Sequence, residues 1–307
     1  MTSPLYIVVV GSINVDFIIG VAALPKPNET LMGHKSAIAL GGKGMNQAVA
    51  AKAMAIATHM VAAVGADNFG QDALAFLRGR GVGIDHVHVL AEHGTGMANV
   101  VVAKGGENMI IVSPGANAHL TSEAVEEAIA LIANAAALIV QLETPLPTIR
   151  RALEIAKSNG VLTILNPAPV DLAAIDLFPL VDVLTPNETE LARLTGIDGL
   201  DDASLKQAML QLQKLGAKQI VVTLGDQGCA TLLDGQLCRI KAFKVQAVDA
   251  TGAGDIFNGV LATQMIEGQD LASAMRFACA ASALSVTTAS ANAAPSFQEV
   301  QAFLARA

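Results

Sequence analysis

Short, uninterrupted apolar runs rich in Val and Ile alternate along the chain with longer stretches whose apolar positions recur every three to four residues. Tyr6–Val10, His59–Val64, Ala137–Gln141, Val161–Leu165, Val183–Thr185 and Gln219–Leu224 read as strands buried on both faces. Met45–Ala57, Ala73–Arg80, Ser122–Ala133, Leu146–Ser158 and Ser204–Leu215 read as the helices between them. Asp255–Glu267, Leu271–Thr287 and Phe297–Ala305 read as three further helices in succession. This alternation predicts an α/β fold with a mostly parallel sheet sandwiched by helices.

Two segments break the rhythm. Val15–Ile38 and Gly94–Val112 alternate with the period of a strand, turn at Pro25–Pro27 and Gly105–Asn108, and lack a helix of their own. They are expected to pair into a small β-sheet lid, spanning about residues 13–40 and 94–113, on a single domain of 1–307. No repeat, low-complexity tract or linker divides the chain.

Composition narrows the partners. With 52% of residues apolar the chain can bury a large core, and its net charge of −8 comes without any basic block. Duplex nucleic acid and an anionic membrane surface, which both need a Lys/Arg stripe, are therefore not expected partners. Cys229, Cys238 and Cys279 are too few and too scattered for a disulfide framework and read as reduced filler. The N-terminal stretch MTSPLYIVVVG has no basic n-region, and Ala128–Leu142 is too short to span a bilayer, so the cytoplasm is the expected compartment.

The chemistry concentrates in three stretches. In Ala247–Gly259, AVDATGAGDIFNG, the small residues Gly252, Ala253 and Gly254 precede an amphipathic helix. Free amides at such a helix start form an anion site, and Asp255 in the first turn stands beside it. A carboxylate there suits phosphoryl transfer, accepting a hydroxyl proton while the amides stabilise the charge. An acid that merely favours the positive end of a helix would look the same in sequence. Gly41–Ala48, GGKGMNQA, opens another helix; Gly42 and Lys43 offer backbone amides, and Asn46 follows about one turn on. It is not a P-loop, since no Ser or Thr follows the Lys, and the chain has no GxGxxG. In GSINVD, Asn14 and Asp16 are two apart and share one face of an extended segment. His86, His88 and His93 lack the carboxylates or Cys that would complete a metal site, and Cys279 has no neighbouring base to make it a nucleophile.

Together with LPKPNET, VGADNFG, GENMIIVSPGAN, QLETP, NPAP, PNETE and VTLGDQG, these stretches occur in an order that resembles the ribokinase family of carbohydrate kinases over essentially the whole chain. The resemblance implies a Rossmann-like domain with a β lid, often paired as a homodimer through that lid. It implies ATP as co-substrate with Mg²⁺, K⁺ as an activator, and D-ribose phosphorylated at O5 as the first substrate to expect. Asn14, Asp16, Gly42, Lys43, Asn46 and Glu143 match the family's sugar contacts, Asp255 its base, and Gly252–Gly254 its anion hole. Asn187, Glu190, Thr223, Gly225, Gly228, Gly254 and Cys279 match positions around ATP. Asp249, Thr251, Ser285, Thr288 and Ser290 match its monovalent-cation loop.

The departures are few. Ala250 stands where the family usually has Thr, Cys279 where His or Asn often lies beside adenine, Asn28 where the lid turn usually has Gly, and Ala294 where a Ser would ligate the cation. The alternatives left open are another small sugar or a nucleoside (deoxyribose, a ketohexose, adenosine), or an inactive sugar-binding regulator. The intact Asp255 and glycine turn speak against the regulator, which needs neither.

Overall fold

The computed structural model of the protein describes residues 5–105, 107–288 and 293–306; Ser290 of the expected cation loop lies outside them. In chain order the elements begin β1 (Tyr6–Val10), β2 (Asn14–Val21), β3 (Lys35–Gly41), α1 (Lys43–Ala53), β4 (Ala57–Gly65), α2 (Asn68–Gly79) and β5 (Gly83–Leu90). β6 (Gly96–Ala103), β7 (Asn108–Ser113), α3 (Ser122–Glu127), α4 (Ile129–Ala133), β8 (Ala137–Gln141), α5 (Leu146–Ser158) and β9 (Leu162–Asn166) follow. The chain continues with β10 (Val183–Leu184), α6 (Glu188–Thr195), α7 (Asp202–Lys214), β11 (Gln219–Thr223), β12 (Cys229–Leu233) and β13 (Gln236–Ile240). It closes with α8 (Ala253–Ile266), α9 (Leu271–Ser285) and α10 (Phe297–Leu304).

The larger sheet runs β13-β12-β11-β10-β9-β8-β1-β4-β5, parallel from β5 to β11 and antiparallel at β12 and β13. Its strands are continuously apolar because both faces are covered. Val8 and Val10 of β1 belong to the apolar cluster on one face, which also holds Ile149 and Leu153 of α5 and, farther along the sheet, Leu205 and Leu212 of α7. Ile7 and Val9 belong to the cluster on the other face, with Met45 and Val49 of α1 and Phe257 and Leu261 of α8. A second sheet, β3-β2-β6-β7, takes its strands from the two segments that lack helices; β2 and β6 run parallel and the outer pairs antiparallel.

Several elements differ from the sequence expectation: β5 and α6 lie outside the expected spans, and α2 begins at Asn68 rather than Ala73. The helix expected to reach Ala57 stops at Ala53, because Ala55 takes a left-handed conformation (φ 65°) and Ala57 already begins β4. Ser122–Ala133 is two short helices broken at Ala128. The β12–β13 hairpin, absent from the pattern reading, turns through Asp234 and Gly235 at φ 49° and 74°, the positive values that an Asp-Gly turn supplies.

The topology creates one crevice. From β1 the chain goes first to β4 on one side and later to β8 on the other, so the strand order reverses between β1 and β8. Loops leaving the carboxyl ends of such strands diverge and leave room for a ligand. Over this end α1 and α8 approach at backbone distance. A Cβ on Gly259 would lie 2.5 Å from the Gln47 carbonyl oxygen and 2.9 Å from the Ala51 nitrogen. Gly259→Ala is expected to lower unfolding free energy by about 1–3 kcal/mol, because backbone atoms cannot move aside as a side chain would. Gly79→Ala, at a helix position whose new Cβ would meet no atom within 4 Å, is the control, expected neutral or stabilising by up to about 1 kcal/mol. Urea titrations of both variants check this.

Candidate active site

Helix α8 starts over the crevice. Its N-cap, Gly252, sits at φ 78°, where a side chain would be strained, and the first-turn amides lack partners within the helix. The turn is held from behind: the Ser282 hydroxyl donates to the Ala253 carbonyl (2.9 Å) and Asn258 Nδ2 to the Gly254 carbonyl (2.8 Å). In front it is open, since a Cβ on Gly254 would meet no atom within 4 Å. Asp255 follows in the first turn, only 7% exposed. Both of its oxygens are engaged, Oδ2 by Asn46 Nδ2 and Oδ1 by Gln47 Nε2, each at 3.0 Å.

Around it gather the residues expected to meet a sugar. Gly42 is the N-cap of α1, and the Lys43 amide donates to Glu143 Oε2 (3.2 Å), which also accepts from the Ser12 hydroxyl. Asn14 is fixed through Asn117. That side chain bonds both backbone groups of Ile13 (2.9 and 3.0 Å) and donates to Asn14 Oδ1 (2.8 Å). Asp16 lies flat over Gly41, where a Cβ would come within 2.4 Å of its Oδ2. Asn46 Oδ1 is buried and has no hydrogen-bond partner among the described residues.

Charge is concentrated here. The Asp16 carboxyl is pushed up to about 6, first by burial and then by Glu143 and Asp255. Burial works against the Lys43 ammonium, but Asp255, Glu143 and Glu190 outweigh it and hold its pKa above the usual lysine value. Burial also raises Glu190, with the Asn187 amide and Lys43 pulling the other way.

The positions expected around ATP lie beside the same helix start. Asn187 and Glu190 form a reciprocal cap at the head of α6: Glu190 Oε2 accepts from the Asn187 amide, Oε1 from Asn187 Nδ2, and Asn187 Oδ1 from the Glu190 amide. Asn187 bridges to Thr223, the last residue of β11, and Gly225 and Gly228 bound the tight turn into β12. Cys279 is buried with its Sγ 3.3 Å from that of Cys229, so two thiols that are scattered in sequence meet in the fold.

Of the expected cation residues, Asp249 Oδ1 accepts from the Thr251 amide, and the amides of Val248 and Asp249 both donate to the Val286 carbonyl. The segment before α8 is thereby docked on the end of α9, beside Ser285 and Thr288. The Ser285 carbonyl accepts from both the amide and the hydroxyl of Thr288 (3.2 and 3.0 Å). No cluster of three or more His, Cys, Asp or Glu side chains suited to a metal occurs among the described residues.

Pattern reading singled out none of Gln47, Gln141, Asn166, Asn117, Thr185 and Asn258, although all are nearly buried. A signal existed for two of them. Gln141 and Asn166 each end an otherwise apolar strand, the position from which a side chain enters the crevice.

A base-like carboxylate at an anion-binding helix start, facing a polar crevice on an α/β sheet, is the arrangement of a small-molecule phosphotransferase. The comparisons with known proteins agree. Residues 4–297 match the family model described as pfkB family carbohydrate kinase, and the chain belongs to that family. It is 41% identical over 300 residues to the ribokinase of Haemophilus influenzae, covering 97% of this chain and 98% of that one. It is 35% identical to the deoxyribokinase of Salmonella typhimurium, covering 92% of each. The ribokinase of Arabidopsis thaliana complexed with ribose and ATP superimposes with a TM-score of 0.88 at 32% identity, over 98% of this chain and 99% of that one.

Asp16 gives a test that needs no ligand. A carboxyl whose folded pKa lies above its ordinary value favours the fold while protonated, and that contribution is lost as pH rises from about 4 through about 6. Asp16→Asn is therefore expected to stabilise the unliganded protein by up to about 3 kcal/mol at about pH 8, and by much less at about pH 4.5. Equal effects at both pH values in denaturant titrations would show that Asp16 is not held above its ordinary range.

Proposed function

We propose that the protein transfers the γ-phosphoryl group of ATP to O5 of D-ribose, with Asp255 as general base. The observation that carries this reading is the placement of Asp255: buried, oriented by two amide donors, and in the first turn of a helix whose start is open in front of Gly254. Asp255 accepts the hydroxyl proton as the oxygen attacks, and the amides of Gly254 and Asp255 stabilise the charge on the transferring group, while the Ala253 amide donates to the Ala250 carbonyl (3.2 Å). Asp16 and Glu143 accept from sugar hydroxyls, and the free Asn46 Oδ1 accepts one more. Asn187, Thr223, Gly225 and Gly228 line the nucleotide side, with Glu190 behind them and Cys279 close to the turn. The second sheet serves as the lid that excludes water as a competing acceptor.

Mg²⁺ fits the charge of the site. Glu143, Glu190 and Asp255 act on Lys43, and Asp16 lies near Glu143 and Asp255. The ion, arriving with the nucleotide, would neutralise phosphate charge next to Glu190, whose two oxygens each keep a lone pair beyond the bond from Asn187. K⁺ as an activator fits less completely, because the Ser285 carbonyl is already engaged twice by Thr288; Asp249 and Thr251 would supply the side-chain oxygens. The homodimer through the lid is supported by the apolar surface of the second sheet, where Ile38, Ile110 and Ile111 are more than half exposed.

Three experiments test the reading. Asp255→Asn keeps the shape of the side chain but cannot take a proton, so kcat is expected to fall roughly 10²–10⁴-fold with sugar affinity much less affected. In an ADP-release assay, kcat/KM for D-ribose is expected to exceed that for 2-deoxyribose, fructose and adenosine. Loss of one hydroxyl bonded to a buried carboxylate costs about 1.5–3 kcal/mol. Equal turnover of 2-deoxyribose would replace the substrate and leave the kinase. For the cation, a KCl titration at constant ionic strength is expected to show activation that saturates at lower concentration in Ala294→Ser. A flat response in both proteins would remove K⁺ from the reading.

A further inference from the structure

Behind Asp255, the Gln47 amide that orients it belongs to a longer row of buried amides. Gln47 is fully buried, and both ends of its side chain are occupied. Its Nε2 donates to Asp255 Oδ1 (3.0 Å) and Asn166 Oδ1 (3.3 Å), and its Oε1 accepts from Gln141 Nε2 (2.7 Å). Gln141, 1% exposed, ends β8 with its Oε1 pressed against Gly11 at the end of β1. The direction of this row is forced. An ionised carboxylate only accepts, so Gln47 must turn its NH₂ towards Asp255, and its carbonyl then needs the donor that Gln141 supplies.

We propose that Gln47 is a positioning residue for the catalytic carboxylate, with Gln141 fixing the sense of its amide. Asn46 and Gln47 grip one oxygen each, which sets the plane of the Asp255 carboxylate. The same row reaches the anion-binding turn. Asn166 Nδ2 donates to the Thr185 carbonyl (3.2 Å), the Thr185 hydroxyl to Asn258 Oδ1 (2.5 Å), and Asn258 Nδ2 to the Gly254 carbonyl (2.8 Å). The base and the amides that would meet the phosphoryl group are thereby held in one frame, built on the ends of β8, β9 and β10 rather than on mobile loops.

The inference rests on Asp255 being the base, and its test separates the two. Gln47→Glu preserves shape but sets a carboxylate against Asp255; the pair can be ionised together only at a cost, so it holds a shared proton to higher pH. The other titratable groups around Asp255 are Asp16 on β2, Lys43 on α1, Glu143 after β8 and Glu190 on α6, and this substitution changes none of them. Two results are expected. The acid limb of the kcat profile moves up by about one pH unit or more, with KM for sugar and ATP within about threefold of wild type. Without any ligand, Gln47→Glu lowers Tm at about pH 8, and adding Asp255→Asn, which restores an N–H facing a carboxylate, recovers most of the loss.

An unmoved acid limb together with additive Tm effects in the double variant would overturn the proposal. Strong coupling in Tm, with no sugar phosphorylated by the wild type, would keep the contact but show that the positioned group is not a kinase base, overturning the catalytic role. Gln47→Met, of similar volume and without the donor, guards against misfolding of the charged variant. It is expected to keep the cooperative unfolding transition while kcat falls about tenfold or more; wild-type kcat in folded Gln47→Met would likewise overturn the proposal.

Discussion

Where α8 crosses α1, Gly259 presents no side chain to the Gln47 carbonyl, and the two backbones touch. The geometry of the site follows from that approach. It sets the amides of Asn46 and Gln47 against the carboxylate of Asp255 across more than two hundred residues of sequence. Gly44 makes the companion contact, where a Cβ would come within 2.6 Å of the backbone at Gly11 and Ser12. Sheet, α1 and α8 are thus stacked at backbone distance, and short polar side chains span the gaps. A larger residue at either glycine would separate the layers by more than a hydrogen bond tolerates.

The same closeness has an electrostatic cost. Asp255, Glu143 and Glu190 act on Lys43, and burial first, with neighbouring carboxylates second, raises the pKa values of Asp16 and Glu190. Groups that hydrogen-bond to these carboxylates would offset the desolvation that burial imposes on them. Strain of this kind is found where function requires it and is offset by the large apolar layers on either face of the sheet.

Much of the frame was legible in the chain. The spans expected for Tyr6–Val10, Ala137–Gln141 and Leu146–Ser158 coincide with β1, β8 and α5, because continuous apolar runs and 3.6-residue periodicity are local properties. What escaped was of two kinds. Single backbone conformations went unseen: Ala55 ends α1 in a left-handed turn that no residue type announces, whereas Asp234-Gly235 carried a hairpin signal that was overlooked. Asn187 and Glu190 show the opposite case, since two residues expected around ATP also cap a helix. The second kind is pairing at a distance. Gln47, Gln141 and Asn166 stood inside stretches already singled out, but spacing along the chain cannot say that residues about a hundred apart share a proton-donating row. Cys229 and Cys279 escaped for the same reason.

The bond between Asn46 and Asp255, 209 residues apart, has a consequence for how the protein comes into being. β1 is made first yet lies inside the sheet, with β4 and β8 as its neighbours, and α8 is delivered only after every strand has been synthesised. A nascent chain can assemble the strands and the part of the crevice around Asp16, Lys43 and Glu143 while Asp255 is still unmade. Contacts that close so late and so far apart in sequence are slow to form. The complete crevice is therefore assembled late, and a chain that lacks α8 carries it without Asp255.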